Sequence, residues 1–309
     1  MQTNLAFVFP GQGSQSLGML ADFADNETVQ QTFAEASDAL GYDLWQLIQQ
    51  GPADKLNQTH ITQPALLTAS VAMWRVWLQM GGNKPSLLAG HSLGEYSALV
   101  CAGVLSLATG VKLVENRGLY MQQAVPQGTG AMFAIIGLDD EAIKLACEQA
   151  AQDEVVSPVN FNSPGQVVIA GNKAAVERAG ELCKEAGAKR ALPLPVSVPS
   201  HCALMASAAE KLAQDLTNTD FNAPQIPVIN NVDVATYSDA QQIKDALIRQ
   251  LYSPVRWTET VKKMASQGVD TLVEAGPGKV LQGLTKRIDK SVSCTSINTA
   301  QSMQSALED

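Results

Sequence analysis

Basic residues are in the minority: 21 Lys and Arg against 30 Asp and Glu give a formal net charge of −9. That balance argues against a nucleic acid partner, and an anionic ligand must meet a local basic patch. Cysteine is sparse and unpatterned. Cys101, Cys147, Cys183, Cys202 and Cys294 are odd in number and form no C-x-x-C pair, which excludes a zinc knuckle or a disulfide frame and fits reduced thiols in a cytoplasmic protein. The N-terminus lacks the basic opening of a signal peptide, and the longest apolar stretch, Pro64 to Met80, is interrupted by Arg75. No membrane span or anchor is expected. The glycine loop after the apolar run Leu5 to Phe9 reads Pro10-Gly11-Gln12-Gly13-Ser14-Gln15 and has Ser16 where a dinucleotide fingerprint needs its third glycine. Internal repeats, low-complexity tracts and flexible linkers are also missing.

What is present is an ordinary globular enzyme composition, 46% hydrophobic and 17% charged over 309 residues, with room for roughly two domains. Ser86 to Gly90 is a short apolar strand that breaks into Gly90-His91-Ser92-Leu93-Gly94 and resumes as a helix over Glu95 to Ala102. Strand, sharp turn and helix around G-x-S-x-G describe a nucleophile elbow, with Ser92 on a strained turn and glycines on both sides removing side chains that would collide. Helical patterns are expected over Thr28 to Leu40, Gln63 to Gln79 and Ser106 to Val125. From Gly130 the period changes. Strand Gly130 to Gly137, a helix capped by Asp139, a hairpin of Val155 to Asn162 and Gln166 to Ala170, helix Ala174 to Ala186 and strand Lys189 to Leu194 make a β-α-β-β-α-β order. Afterwards α/β alternation returns, with helix Leu204 to Leu216, strand Ile226 to Asn230, helices Ala240 to Tyr252 and Val255 to Gln267, and strand Thr271 to Glu274. The expected fold is α/β: an α/β-hydrolase-like core with a parallel sheet, formed by 1–126 and 196–309, plus an inserted ferredoxin-like α+β subdomain over 127–195.

A serine hydroxyl needs a base, and three histidines are available. His91 adjoins Ser92, where successive side chains diverge, and His60 sits upstream in a polar stretch. His201 follows the extended segment Leu192 to Ser200, downstream of the serine as in α/β-hydrolase-like sites, and is the expected base. No acid stands out as a third member; Asp233, Asp239 and Asp270 are candidates, and a backbone carbonyl could orient the imidazole instead. Arg117 lies at the border of the apolar stripe of its helix with Leu113, Val114, Tyr120 and Met121 as its helical neighbours, none acidic. It is either a snorkelling side chain with its head in water or a fork waiting for a ligand carboxylate.

Together Phe9 to Gln15, Gly90 to Glu95, Asn116-Arg117-Gly118, Val159 to Pro164, Pro199-Ser200-His201 and Glu274 to Gly278 stand in an order that resembles the malonyl-CoA:acyl carrier protein transacylases of bacterial type II fatty acid synthesis over nearly the whole chain. The resemblance implies a malonyl ester on Ser92, His201 as base, Arg117 on the malonyl carboxylate, and the backbone N–H groups of Gln12 and Leu93 as the oxyanion hole. It implies that the main-chain carbonyl of Gln250 orients His201, that Gln63 lines the same pocket, and that Asn162 lies at the subdomain wall. Phenylalanine before the catalytic histidine goes with malonyl in the related polyketide acyltransferases, and serine with methylmalonyl; here Ser200 stands there, as it does in the discrete fatty-acid enzymes. No bound cofactor is implied, since malonyl-CoA is a substrate and phosphopantetheine arrives on an acidic acyl carrier protein. Lys189 with Arg190, and Lys286 with Arg287 and Lys290, are the densest basic groups that could meet the carrier or CoA phosphates, unless they are simply solvated charge. A serine esterase or thioesterase would share the elbow and His201 without needing Arg117, and an acyltransferase serving a polyketide pathway would share all of it.

Overall fold

The computed structural model describes residues 2–196 and 198–308, with Gln2 and Thr3 as backbone alone. Met1, Ser197 and Asp309, which fall in the expected catalytic domain and, for Ser197, in the extended segment before His201, lie outside the described residues. The chain begins with β1 (Gln2–Phe9), α1 (Glu27–Leu40), α2 (Leu44–Gln50), α3 (Ala53–Leu56), α4 (Thr59–Gln79), β2 (Pro85–Gly90), α5 (Gly94–Cys101) and α6 (Leu107–Gln123). It continues with β3 (Gly130–Ile136), α7 (Asp140–Ala151), β4 (Val156–Ser163), β5 (Gln166–Asn172), α8 (Lys173–Glu185) and β6 (Arg190–Pro193). The last part holds α9 (Ala206–Thr217), β7 (Val228–Ile229), α10 (Ala240–Gln250), α11 (Trp257–Ser266), β8 (Thr271–Glu274), α12 (Val280–Ile288), β9 (Ser293–Ser296) and α13 (Ala300–Glu308).

Two sheets result. The first is parallel, in the order β7-β2-β1-β8-β9, and its central strands are apolar on both faces, as a parallel sheet covered by helices requires. Phe9 pairs with Gly90 and Val8 with both Ala89 and Glu274, so three strands end level. The loops that follow them, beginning at Pro10, His91 and Ala275, therefore open side by side at the carboxyl edge, where open α/β sheets place their sites. The second sheet is antiparallel, in the order β4-β5-β3-β6, which is the ferredoxin-like arrangement expected from β-α-β-β-α-β. Its strands alternate as an antiparallel sheet should: Phe133 and Ile135 pack under α7 and α8, while Met132 faces Cys202 across the other surface.

The antiparallel sheet is tied through backbone to the loop that precedes α11. Val255 donates its N–H to Val159 and accepts from Phe161, forming a parallel bridge to Asn160. For this reason the helix expected from Val255 begins only at Trp257. Helix α4 starts at Thr59, ahead of the expected Gln63, with Pro64 inside it; it is buried along most of its length, and Arg75, the one charge in its apolar run, pairs with Glu35 at 2.8 Å. Helices α2, α3, α12 and α13 and strand β9 had no counterpart in the sequence reading.

Glu274 explains part of the Glu274 to Gly278 motif without chemistry. At the end of β8 and fully buried, its carboxylate accepts the Leu281 N–H at 3.0 Å and the Gln282 N–H at 2.9 Å, capping the first turn of α12. Removing it leaves buried amides unpaired. Glu274→Ala is expected to lose about 2 kcal/mol of folding stability, read as a lowered urea midpoint, with Glu274→Gln recovering part of the loss.

Candidate active site

The elbow is built as its sequence requires. Ser92 sits in the left-handed region, at φ 52°, a conformation costly for a side chain with a β-carbon. A β-carbon at Gly94 would lie 2.0 Å from the Phe9 carbonyl oxygen, and one at Gly90 would lie 1.8 Å from the Gly94 carbonyl carbon, so both flanking glycines are steric necessities. The strain is held by Asn231, in the loop after β7. Its Oδ1 accepts the Ser92 N–H and its Nδ2 donates to the Gly90 carbonyl, both at 2.7 Å, clamping the turn on both sides.

The Ser92 hydroxyl donates to His201 Nε2 at 2.7 Å. His201 Nδ1 lies 2.7 Å from the Gln250 carbonyl oxygen, which can only accept, so Nδ1 carries the hydrogen and Nε2 is free to take a proton. His201 also adopts a left-handed conformation, at φ 65°, and its N–H donates to the Leu251 carbonyl at 3.0 Å. Burial, reinforced by the nearby Arg117 charge, pushes its pKa down to about 3, so the ring rests neutral. None of the three candidate acids is used here: Asp233 pairs with Arg249, Asp239 caps α10, and Asp270 accepts from Asn4. His60 lies in the first turn of α4, where Nδ1 meets the Gln122 side chain at 2.6 Å. His91 turns away from Ser92, its Nε2 donating to Asn162 Oδ1 at 2.7 Å.

Arg117 is 1% exposed, which rules out a head in water. Nη1 donates to Gln63 Oε1 at 2.7 Å, and Nη2 donates to Gln250 Oε1 at 3.0 Å and to the Ser92 hydroxyl at 3.3 Å. The guanidinium stacks 5.3 Å from the Tyr96 ring centroid. Nε has no partner among the described residues, and no carboxylate touches the group. Burial works against its charge, and Tyr96 and the Glu95 carboxylate support it, so a cation with no carboxylate in direct contact stands beside Ser92.

These groups border a cavity of about 110 Å³ that Gln12, Leu93, Met121, Met132, Val198 and Ser200 help to enclose, far below the roughly 300 Å³ at which drug-sized sites begin. Gln12 and Leu93 border it from two adjacent loops, and neither of their backbone N–H groups donates to another described residue. Gln63 stands behind Arg117 rather than against the cavity, and Asn162 stands behind His91.

The acyl transferase domain family matches residues 6–307. The chain is 66% identical, over 99% of both proteins, to the malonyl CoA-acyl carrier protein transacylase of Escherichia coli K12. The chain belongs to the acyl transferase family, among the malonyl CoA-acyl carrier protein transacylases. A solved acyl carrier protein S-malonyltransferase from Vibrio cholerae O1 superposes at a TM-score of 0.96 with 69% identity, covering 98% of this chain and 99% of its own. A malonyl-transacylase solved in complex with its type II polyketide acyl-carrier protein superposes at 0.98 with 64% identity, covering 99% of each chain.

In this acyltransferase the sequence reading missed Asn231, the side chain of Gln250 and the ring of Tyr96. Tyr96 follows the elbow motif directly, but the other two lie far along the chain in segments with no motif of their own. His201→Ala is expected to cost roughly 100- to 10,000-fold in acyl transfer, whereas His60→Ala costs little; steady-state rates on the purified variants check this. NMR titration is expected to show the His201 ring unprotonated from about pH 5 to about pH 8.

Proposed function

We propose that this enzyme moves a malonyl group from malonyl-CoA to the phosphopantetheine thiol of an acyl carrier protein, through an ester on Ser92, in the cytoplasm. The observation that carries the reading is Arg117: a buried guanidinium 3.3 Å from the Ser92 hydroxyl with no carboxylate against it among the described residues. An acyl group bearing a distal carboxylate supplies the missing anion; a plain esterase has no use for the charge. Ser92 passes its proton to His201 Nε2 as Oγ attacks the thioester carbonyl. The oxyanion that forms takes the unpartnered N–H groups of Gln12 and Leu93. When the C–S bond breaks, the leaving sulfur takes the proton back from Nε2 and CoA departs as a thiol. The carrier's thiol then repeats the sequence in reverse, giving its proton to His201, attacking the Ser92 ester and releasing the hydroxyl.

We read 127–195 as the inserted ferredoxin-like subdomain. From it Met132, Asn160 and Leu194 close one wall of the cavity. Ile136 pairs with Arg190 on one side and Gln166 on the other, and Arg287 donates to the Gln166 side chain at 2.6 Å. On these contacts we read Lys189, Arg190, Lys286 and Arg287, all exposed, as one face. That face suits an acidic carrier protein; the complex of the 64% identical relative supports a carrier protein as the partner.

Intact mass after incubation with malonyl-CoA is expected to show a malonyl adduct on the wild type and none on Ser92→Ala. Arg117→Ala is expected to lose roughly 30-fold to several thousand-fold in malonyl kcat/KM while acetyl transfer holds or improves; a parallel loss for both substrates would assign Arg117 to the fold alone. Reversing the charges of Lys286 and Arg287 is expected to weaken transfer to the carrier more than loading from CoA, measured as separate half-reactions.

A further inference from the structure

Behind the site lies a second buried charge. Glu95, one residue into α5 and 2% exposed, turns its carboxylate inward. One oxygen, Oε2, accepts both the Gln250 Nε2–H at 2.8 Å and the Asn231 backbone N–H at 2.9 Å. Gln250 is a fully buried amide with both ends engaged. Its Nε2 faces Glu95 and the Ser92 carbonyl, and its Oε1 faces Arg117. An amide has two orientations that differ only by exchange of O and N. Here an anion on one side and a cation on the other select one of them.

We propose that Glu95 is a positioning residue for substrate selection: its anionic carboxylate fixes the orientation of the Gln250 side chain and thereby holds the Arg117 fork ready for the acyl carboxylate. The inference rests on the proposed role of Arg117. If Glu95 loses its charge, the Gln250 amide is held in this orientation only by the Ser92 carbonyl and by Arg117 itself, and the reversed orientation becomes accessible. In the reversed orientation two donors, the Gln250 NH₂ and Arg117 Nη2, face one another, and the guanidinium turns out of position. Acyl groups without a carboxylate do not need the fork and should barely sense the change.

The arrangement is sensitive to protonation. Burial raises the Glu95 carboxyl to about 7, against the pull of the Asn231 and Gln250 donors and of Arg117. The charged and titratable groups around it are Arg117 on α6, Tyr96 on its own helix and Asp233 in the loop after β7, the last already paired with Arg249. Because the carboxyl pKa is raised, the ordering anion is present above about pH 7 and is lost as pH falls through that value. His201, held down at about 3, contributes no limb in the same window.

The test measures formation of the Ser92 malonyl and acetyl adducts by quenched reaction and intact mass, on wild type, Glu95→Gln and Arg117→Ala, from about pH 6 to about pH 8.5. For the wild type, malonyl loading is expected to fall with pH through about 7 while acetyl loading stays level. Glu95→Gln keeps the shape but not the charge, and its malonyl loading is expected to be lowered about tenfold at the alkaline end and flat with pH, its acetyl loading changing less than about threefold. If Arg117→Ala loses malonyl preference and Glu95→Gln keeps it, the role of Glu95 is overturned and the reading of Arg117 stands. If Arg117→Ala also keeps the preference, the reading of Arg117 fails. Should Glu95→Gln not fold, the wild-type profiles decide: a malonyl profile flat across the range, or an acid limb equal for both acyl groups, overturns the proposal.

Discussion

Placing a guanidinium where water cannot reach it is costly unless its charge is met, and the arrangement around Arg117 follows from that constraint. A carboxylate pressed directly against it would be the simplest remedy, but it would also fill the fork and neutralise the charge that the proposed malonyl carboxylate meets. Instead two glutamine oxygens, from Gln63 on α4 and Gln250 at the end of α10, hold the nitrogens, and the Tyr96 ring lies beside the group. These neutral partners fix geometry while leaving the net charge standing. The balancing anion, Glu95, is set back behind the Gln250 amide. Cation, amide and anion are thus linked by hydrogen bonds through Gln250, and the field is partly satisfied without a carboxylate against the guanidinium.

The reacting pair is held by strain that other contacts offset. Ser92 and His201 both occupy left-handed backbone conformations, and each is tied by its own N–H, the first to Asn231 and the second to the Leu251 carbonyl. Such conformations persist only where surroundings over-determine them. Here the surroundings are the ends of neighbouring parallel strands: β7 leads to Asn231, β2 to Ser92 and β1 to Gln12. Level registration of β1 with β2 places the loops after Phe9 and Gly90 together, so the nucleophile and the two unpartnered N–H groups need no long loop to meet.

A main-chain carbonyl in place of an acid changes the electrostatics of the histidine. The Gln250 oxygen fixes the tautomer as a carboxylate would, but it does not stabilise an imidazolium with a full negative charge. With the ring buried and Arg117 close by, it is held neutral. In the proposed mechanism it accepts the Ser92 proton and gives it up to a departing thiolate.

Some of this is set by local chemistry and is therefore readable along the chain. The glycines around Ser92, the alternation of β3 to β6 and the ferredoxin-like order all follow from steric and periodic rules acting over a few residues, and elimination among three histidines reached His201. Two kinds of fact were beyond that range. Whether Arg117 reaches water or is sealed in depends on what α4, α5 and α10 bring against it, and its helix alone suits either outcome. The partners that decide its role, Gln63, Gln250 and Glu95, are separated by long stretches of chain, and so is Asn231 from the serine it clamps. Helix period and motif spacing report on neighbours in sequence. Which distant amide faces which buried charge is decided only when the parallel register and the packing of the helices close the space between them.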